Sequence, residues 1–356
     1  MAVSQRRIPW GRIVMAAVFV LLATLAIRNW PHIQLKAFEA WQLVRAARPI
    51  WLVLAALAVV AGYLCAGQIY GRVLVALGYR APALWLSAAA LVTMLLSQAL
   101  PIGTVASYAF LTTSLRRRNI PGTSVAVIAS LELLSWGGAM LLLFVYGLVY
   151  VLLSTSDRTV AGASLTGFST VGLMVGVYVF LGSRPRDTML LWAMRIKRGL
   201  ERVLGRVWSD EHVRKMVDEL AHNRKLVMEH PQRVLLLVCL QLLIFALHSL
   251  ALLAILHALG VRMAPPAVLA AYGLSLIVSA YTLLPAGGGT VEAALAVALS
   301  VQGVPIEAAL SATVLFRLLA FWLMLPVAAL CYRVLLRMPA PAAEQETLAG
   351  RRGDTR

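Results

Sequence analysis

The chain has 356 residues, of which 61% are hydrophobic and 13% charged, with a formal net charge of +17. Its mean hydropathy is +0.82. Soluble domains average roughly 45–50% apolar residues, so this composition excludes an ordinary soluble globule and implies a polytopic membrane protein. The Lys and Arg residues fall in short segments between apolar runs, where cytoplasmic loops and anionic headgroups account for them better than nucleic acid does. Cys65, Cys239 and Cys331 all lie in apolar segments without CxxC spacing, which points to packing residues, not to a disulfide framework or a metal site.

Taken in chain order, Arg6, Arg7 and Arg12 precede an apolar run over 13–27 with no small-x-small cleavage site before Arg28, which reads as a retained first helix. Further full spans are predicted over 50–71, 121–153, 160–181, 232–258 and 306–335. Two segments, 82–115 and 266–303, instead show an apolar helix, a Pro/Gly break and a second, shorter helix. Each is a helical hairpin that dips in and returns, or a pair of ordinary crossings. Charge favours the first option. Arg72 and Arg80 flank one end of the first segment and Arg116, Arg117 and Arg118 the other, so both ends belong on the cytoplasmic side. The second segment has only Arg262 before it and Glu307 after it, as expected if it opens to the outer face.

These two segments belong to a repeat. Pro82, Pro101 and Pro121 recur as Pro266, Pro285 and Pro305, each 184 positions later (266−82, 285−101, 305−121), and Leu100-Pro101-Ile102-Gly103 answers Leu284-Pro285-Ala286-Gly287. Leu77-Gly78-Tyr79-Arg80 answers Leu259-Gly260-Val261-Arg262 at an offset of 182. The repeats cover about 50–153 and 232–335. The span count enters them from opposite sides of the membrane, which makes them inverted. Duplicated halves with Pro/Gly-broken helices point to a substrate site at mid-membrane, hence to a transporter. The fold expected is an all-α polytopic membrane protein: one transmembrane domain over 1–338, with about six full spans, two re-entrant hairpins and both termini cytoplasmic. The 28–49 connection strains this topology, because it carries Arg28, Lys36, Arg45 and Arg48 against Glu39 yet falls outside.

Between the repeats, 183–231 carries eleven Lys/Arg against seven Asp/Glu. Ile196, Leu200, Val203, Leu204 and Val207 repeat at helical spacing beside Arg195, Lys197, Arg198, Arg202 and Arg206, with Trp192 and Trp208 flanking. A helix lying on anionic headgroups of the inner leaflet fits this pattern, and so does a solvated cytoplasmic helical hairpin. The tail 339–356 is rich in Pro, Ala and charge and reads as disordered.

The chemistry concentrates at the second break. In Pro285-Ala286-Gly287-Gly288-Gly289-Thr290-Val291-Glu292 the glycines stop one half-helix and let another begin near Thr290, whose free amides and positive dipole end suit an anionic group such as a lipid phosphate. Close helix packing is the alternative use of the same glycines. Glu292, in the first turn, needs a partner or water in an apolar span, and Arg317 on the last span is the candidate. The pair is a clamp between hairpin and helix, or Arg317 holds a headgroup that Glu292 positions. Glu132 is the other deep acid. The 184 offset sets it opposite Phe316, beside Arg317, so it either shares a central polar site or hydrogen-bonds Ser130, Ser135 or a hairpin amide. Pro101, Gly103, Thr104, Gln98, Ser107 and Tyr108 surround the first break, and Ser279, Tyr281 and Thr282 precede the second. His248 reads as an interior histidine. HExxH, GxSxG, P-loop and Asp-x-Asp patterns are missing from the sequence, so neither an enzyme nor a cofactor or metal is expected.

The run Leu284-Pro285-Ala286-Gly287-Gly288-Gly289-Thr290-Val291-Glu292-Ala293-Ala294-Leu295, continuing to Gly303-Val304-Pro305 and Leu315-Phe316-Arg317-Leu318-Leu319-Ala320-Phe321-Trp322, resembles the lysylphosphatidylglycerol synthase transmembrane-domain family, the flippase-like half of multiple peptide resistance factor. The likeness is specific over about 266–330, weaker over 85–150, and in layout covers about 50–335. It implies a bacterial or archaeal inner-membrane protein that moves lipids between leaflets, with no aminoacyl-transferase domain in this chain. The lipid would be an anionic or aminoacylated phospholipid, or a polyisoprenoid or hopanoid lipid. Relatives often carry Pro-x-x-Gly-Glu followed by an Arg in the first half, and a Glu-Arg pair on the next span. Here Thr104 follows Gly103, and Leu133 follows Glu132, so headgroup choice is expected to differ. A small-molecule or ion transporter, and a non-catalytic partner in a lipid-synthesis complex, are the rival readings. Homo-oligomers are left open.

Overall fold

The structure is a computed structural model that describes residues 44–99, 103–154, 186–204, 231–281 and 289–337, with isolated positions at 42 and within 162–172 and 209–218. The spans predicted over 13–27 and 160–181, the tail 339–356, and the break residues Pro101, Pro285, Gly287 and Gly288 lie outside the described residues. All regular structure among the described residues is helical: α1 (Pro49–Ala76), α2 (Ala83–Ala99), α3 (Gly103–Arg116), α4 (Gly122–Ser154), α5 (Arg186–Leu204), α6 (Pro231–Ala258), α7 (Pro265–Tyr281), α8 (Thr290–Val301), α9 (Ile306–Arg317) and α10 (Met324–Arg337), the last two joined by a π turn over Leu318–Trp322.

Four helical stretches are long and apolar enough to cross a membrane: Pro49–Ala76, Val127–Ser154, Pro231–Ala258 and Ile306–Arg337. Their exposed faces carry Leu57, Leu64, Leu133, Leu142, Leu243, Leu250, Val327 and Leu330, side chains that suit lipid and not water. The helices around the breaks are shorter. α8 has 12 residues, a rise of about 18 Å at 1.5 Å per residue, against a hydrocarbon core of about 30 Å. It cannot cross alone. α2, with 17 residues, rises about 25 Å and also falls short.

The 184-residue offset reaches down to single hydrogen bonds. After α3, the amides of Arg118, Asn119 and Ile120 donate to the carbonyls of Leu115, Arg116 and Leu115, and after α8 the amides of Gln302, Gly303 and Val304 donate to Leu299, Ser300 and Leu299. Asn119 and Gly303 occupy the same left-handed position, at φ 58° and 90°. That geometry ends a helix and is open to asparagine and glycine. The caps of α1 and α6 repeat at the 182 offset, with Tyr79 donating to Leu74 and Val261 to Leu256.

Packing follows the same correspondence, with α1 matching α6, α2 matching α7, α3 matching α8, and α4 matching α9 to α10. α1 and α6 pack on each other at the centre. Around them, α2 packs on α1 and α3, as α7 does on α6 and α8. The outer contacts are exchanged: α7 of the second half lies on α4 of the first, and α2 of the first lies on α10 of the second. Neither half therefore encloses its own broken helix.

Close approach at the crossings is set by glycine. A Cβ on Gly67 of α1 would sit 2.5 Å from the Ser87 backbone of α2, and one on Gly273 of α7 would sit 2.5 Å from the Leu143 carbonyl of α4. Membrane helices gain little from hydrophobic exclusion, so this contact area is what holds such crossings together. The Ser87 hydroxyl uses the proximity to donate to the Leu64 carbonyl, at 3.2 Å.

The inter-repeat region differs in one respect from both sequence expectations. Lys197, grouped by sequence with the basic face of α5, is 8% exposed and forms an ion pair with Asp210. Met189, Val213 and Val217 are buried with it, so α5 packs against the 209–218 positions through one face, while Leu191, Trp192, Arg195 and Arg198 remain exposed.

Candidate functional site

The second break positions the centre of interest. α8 starts at Thr290 behind Gly289, whose left-handed φ of 85° a side-chain-bearing residue rarely adopts. Glu292 is the third residue of α8, where the positive end of the helix dipole favours a carboxylate. Arg317 ends α9, and its Nε lies 2.8 Å from Glu292 Oε1. The same guanidinium donates from Nη1 to Gln98 Oε1 on α2, at 3.2 Å, and its carbon lies 4.6 Å above the centre of the Phe321 ring. Three elements, α2 of the first half and α8 and α9 of the second, thus meet on one cation.

The side chains of Arg317 and Glu292 keep 19% and 22% of their surface. This pair is neither a screened surface contact nor a sealed one, so it keeps an opening from which a further group can be reached. Glu292 Oε2 is buried and has no hydrogen-bond partner among the described residues. A carboxylate oxygen left in that state costs free energy until something donates to it.

The guanidinium is aimed by an irregular helix. Over Leu318–Trp322 the chain takes one residue more per turn, and the Leu323 amide bonds back to Leu318, 2.8 Å away. Pro326 follows and supplies no amide to the preceding carbonyls. Tyr63 of α1 repairs part of the loss, its hydroxyl donating to the Ala320 carbonyl at 2.6 Å. Sequence reasoning missed this π turn and Tyr63.

Glu132 falls in a different place from the Arg317 cluster. The Tyr70 hydroxyl on α1 lies 3.1 and 3.0 Å from its two carboxylate oxygens and 3.1 Å from Thr93 Oγ1 on α2. Ser135, expected as a partner of the carboxyl group, donates to the Glu132 backbone carbonyl instead. The partner that sequence left unnamed is Tyr70. Its signal was available, since Tyr63 and Tyr70 are seven residues apart and share one face of α1 with Ala66 and Gly67.

On the second half, the elements corresponding to that triad bring rings together. Phe316 of α9 lies edge-on to His248 of α6 and Tyr272 of α7, at 6.1 and 6.0 Å between centroids, and Tyr63 lies edge-on to His248 at 6.0 Å. His248 is thus enclosed by aromatic faces. Of the remaining sequence candidates, Gly103 and Thr104 open α3 and Thr290 opens α8.

The arrangement can hold a charged group against Arg317 and Glu292 while α2 and α8 close over it. The profile of the family described as Lysylphosphatidylglycerol synthase TM region matches residues 10–328. No curated protein matches the chain. A match over that much of a helical, membrane-crossing chain is decisive: the protein belongs to the lysylphosphatidylglycerol synthase transmembrane-region family.

Proposed function

We propose that this protein translocates lipids between leaflets, with the headgroup held where the two broken segments meet and the acyl chains left in the bilayer. The observation that carries the reading is the Gln98–Arg317–Glu292 cluster, in which one half-open cation gathers both halves of the molecule. Broken helices at membrane depth are tolerated where they line a cavity or are buried in protein, and a charged pair there is a functional feature by default. A headgroup phosphate would take the Arg317 guanidinium together with amides at the start of α8, and a donor on the headgroup would satisfy Glu292 Oε2.

In this reading the two hairpins are re-entrant and the halves inverted, so α2–α3 and α7–α8 enter from opposite faces. The inner membrane of a bacterium, with both termini on the cytoplasmic side, is the setting that the arginine distribution supports. The reading assigns the chain no lysine transfer: transport is the whole activity.

The test is leaflet-resolved lipid movement in liposomes carrying purified protein and headgroup-labelled lipids, comparing wild type with Glu292→Gln and Arg317→Ala. Loss of movement in both variants, with helical content unchanged, supports the reading. Wild-type movement that both variants retain overturns it. A third variant separates clamp from binding site. Glu292→Leu combined with Arg317→Met removes both charges, and replacing a buried pair by apolar groups is commonly neutral to stability. It should restore thermal stability without restoring lipid movement. Recovery of both would make the pair a structural clamp only. A single Arg317→Met substitution, which leaves the carboxylate unpaired, should cost up to about 3 kcal/mol, at the low end for a buried pair because both side chains keep some exposure.

A further inference from the structure

The Glu132–Tyr70–Thr93 triad stands apart from the Arg317 cluster, and among the described residues no cation pairs with Glu132. Its hydrogen bonds can be counted. Tyr70 has one phenolic proton and three acceptors within 3.1 Å, the two Glu132 oxygens and Thr93 Oγ1. Thr93 spends its own proton on the carbonyls one turn back, with a close contact to Ala89 and a longer one to Ala90 at 3.2 Å.

With Glu132 ionised, the triad holds two protons for its contacts. Tyr70 must choose between the carboxylate and Thr93, and the carboxylate keeps a single neutral donor in apolar surroundings. With Glu132 protonated, the count closes. The carboxyl O–H donates to the Tyr70 oxygen, Tyr70 donates to Thr93, Thr93 donates to Ala89, and every hydroxyl gives once in one direction. Tyr70 and Thr93 are 2% and 4% exposed, so water does not readily make up a missing donor there.

We propose that Glu132 is a proton-binding site, with Tyr70 and Thr93 forming the relay that senses whether the proton is present. Release breaks the carboxyl O–H bond and passes the proton to water, after which the Tyr70 proton turns from Thr93 to the carboxylate. That exchange removes the only hydrogen bond by which Tyr70 of α1 holds Thr93 of α2. Thr93 and Gln98 lie on the same helix, five residues and about 7.5 Å of rise apart, so a change in the grip on Thr93 acts on the helix that also carries the Arg317 partner. The site gives a means of coupling substrate movement to a proton gradient.

The groups facing Glu132 are few. α1 brings Tyr70 and α2 brings Thr93, while Tyr108 of α3 lies within electrostatic range of Tyr70. On α6 and α7, also packed against α4, His248 and Tyr272 turn their rings to each other and to Phe316. No basic side chain among the described residues competes for the carboxyl group.

The proton site stands independently of the lipid reading; only the coupling rests on it. Infrared difference spectra of the purified protein in phosphatidylglycerol and phosphatidylethanolamine nanodiscs, recorded across a pH titration, test the site directly. A protonated-carboxyl band that titrates in wild type, disappears in Glu132→Gln and shifts in Tyr70→Phe is the expected result. Identical wild-type and Glu132→Gln spectra at every pH overturn it, as does a band unmoved by Tyr70→Phe, which also serves if Glu132→Gln does not fold. Lipid movement in liposomes under an imposed pH gradient then tests the coupling. Dependence on the gradient in wild type and its loss in Glu132→Gln is expected, and wild-type movement indifferent to the gradient overturns the coupling while the infrared result still decides the site.

Discussion

The two halves of this molecule share a scaffold and differ in what they place at its equivalent centre. Where α4 meets α1 and α2, the first half sets a carboxyl group, a phenol and a hydroxyl in hydrogen-bond contact. Where α9 meets α6 and α7, the second half sets Phe316, His248 and Tyr272 edge to face. One junction is held by directional bonds whose number depends on a proton; the other is held by shape, which no proton alters. A backbone duplicated to the level of its helix caps has been given a switchable side and a fixed side. The teaching is that equivalence of fold does not carry equivalence of chemistry, even within one chain.

The comparison can be broken at its fixed side first. Phe316→Ala removes a ring from between two others and opens a cavity, and aromatic truncations in packed cores cost about 3 kcal/mol or more. A correspondingly large drop in the melting temperature of the purified protein, without a change in its pH dependence, is expected. A pH dependence that altered with it would show that the aromatic junction also takes part in switching.

Next in size is Gly67→Ala. The added methyl would meet the Ser87 backbone at 2.5 Å, and overpacking of this kind costs about 1–3 kcal/mol. Since α1 bears on both junctions, through Tyr70 on one and Tyr63 on the other, the variant should loosen both, and thermal unfolding should remain a single lowered transition. Two separated transitions would mean that the halves unfold independently, against their exchanged packing.

The smallest effect belongs to Tyr63→Phe. It keeps the ring against His248 and removes only the bond to the Ala320 carbonyl, a loss of about 1 kcal/mol. Amide hydrogen exchange should quicken across 318–325 and stay unchanged in α4. Faster exchange in α4 would show that the two junctions are coupled through α1.

What the sequence made legible was whatever stands out against an apolar background. Proline and glycine at a constant offset marked the breaks, and Thr290 as the start of a helix followed from three preceding glycines. Two opposite charges, Glu292 and Arg317, could be paired because an apolar interior leaves a charge few ways to be accommodated. The partner of Glu132 was not legible. A tyrosine in an apolar run is ambiguous, since its ring serves packing and its hydroxyl serves bonding, and only the helix crossing selects between them. The π turn was hidden for a related reason. Leu318-Leu319-Ala320-Phe321-Trp322 has no residue that resists an ordinary α-helix, and what makes the wider turn tenable is a hydroxyl 257 positions away in sequence.

That turn also sets two rotations separately. Above it, Arg317 faces α2 and α8; below it, Tyr332 stacks on Phe110 of α3 at 5.2 Å. One surplus residue in the winding works like a spline between two shafts, letting each end of the same helix be keyed to its own neighbours. A one-residue deletion within 318–322 would straighten the winding and turn everything after it by about 100°, carrying Tyr332 off Phe110 while leaving Arg317 in place. Chain length is therefore a tuning variable at this point, where elsewhere in the helix it would scramble a single continuous face.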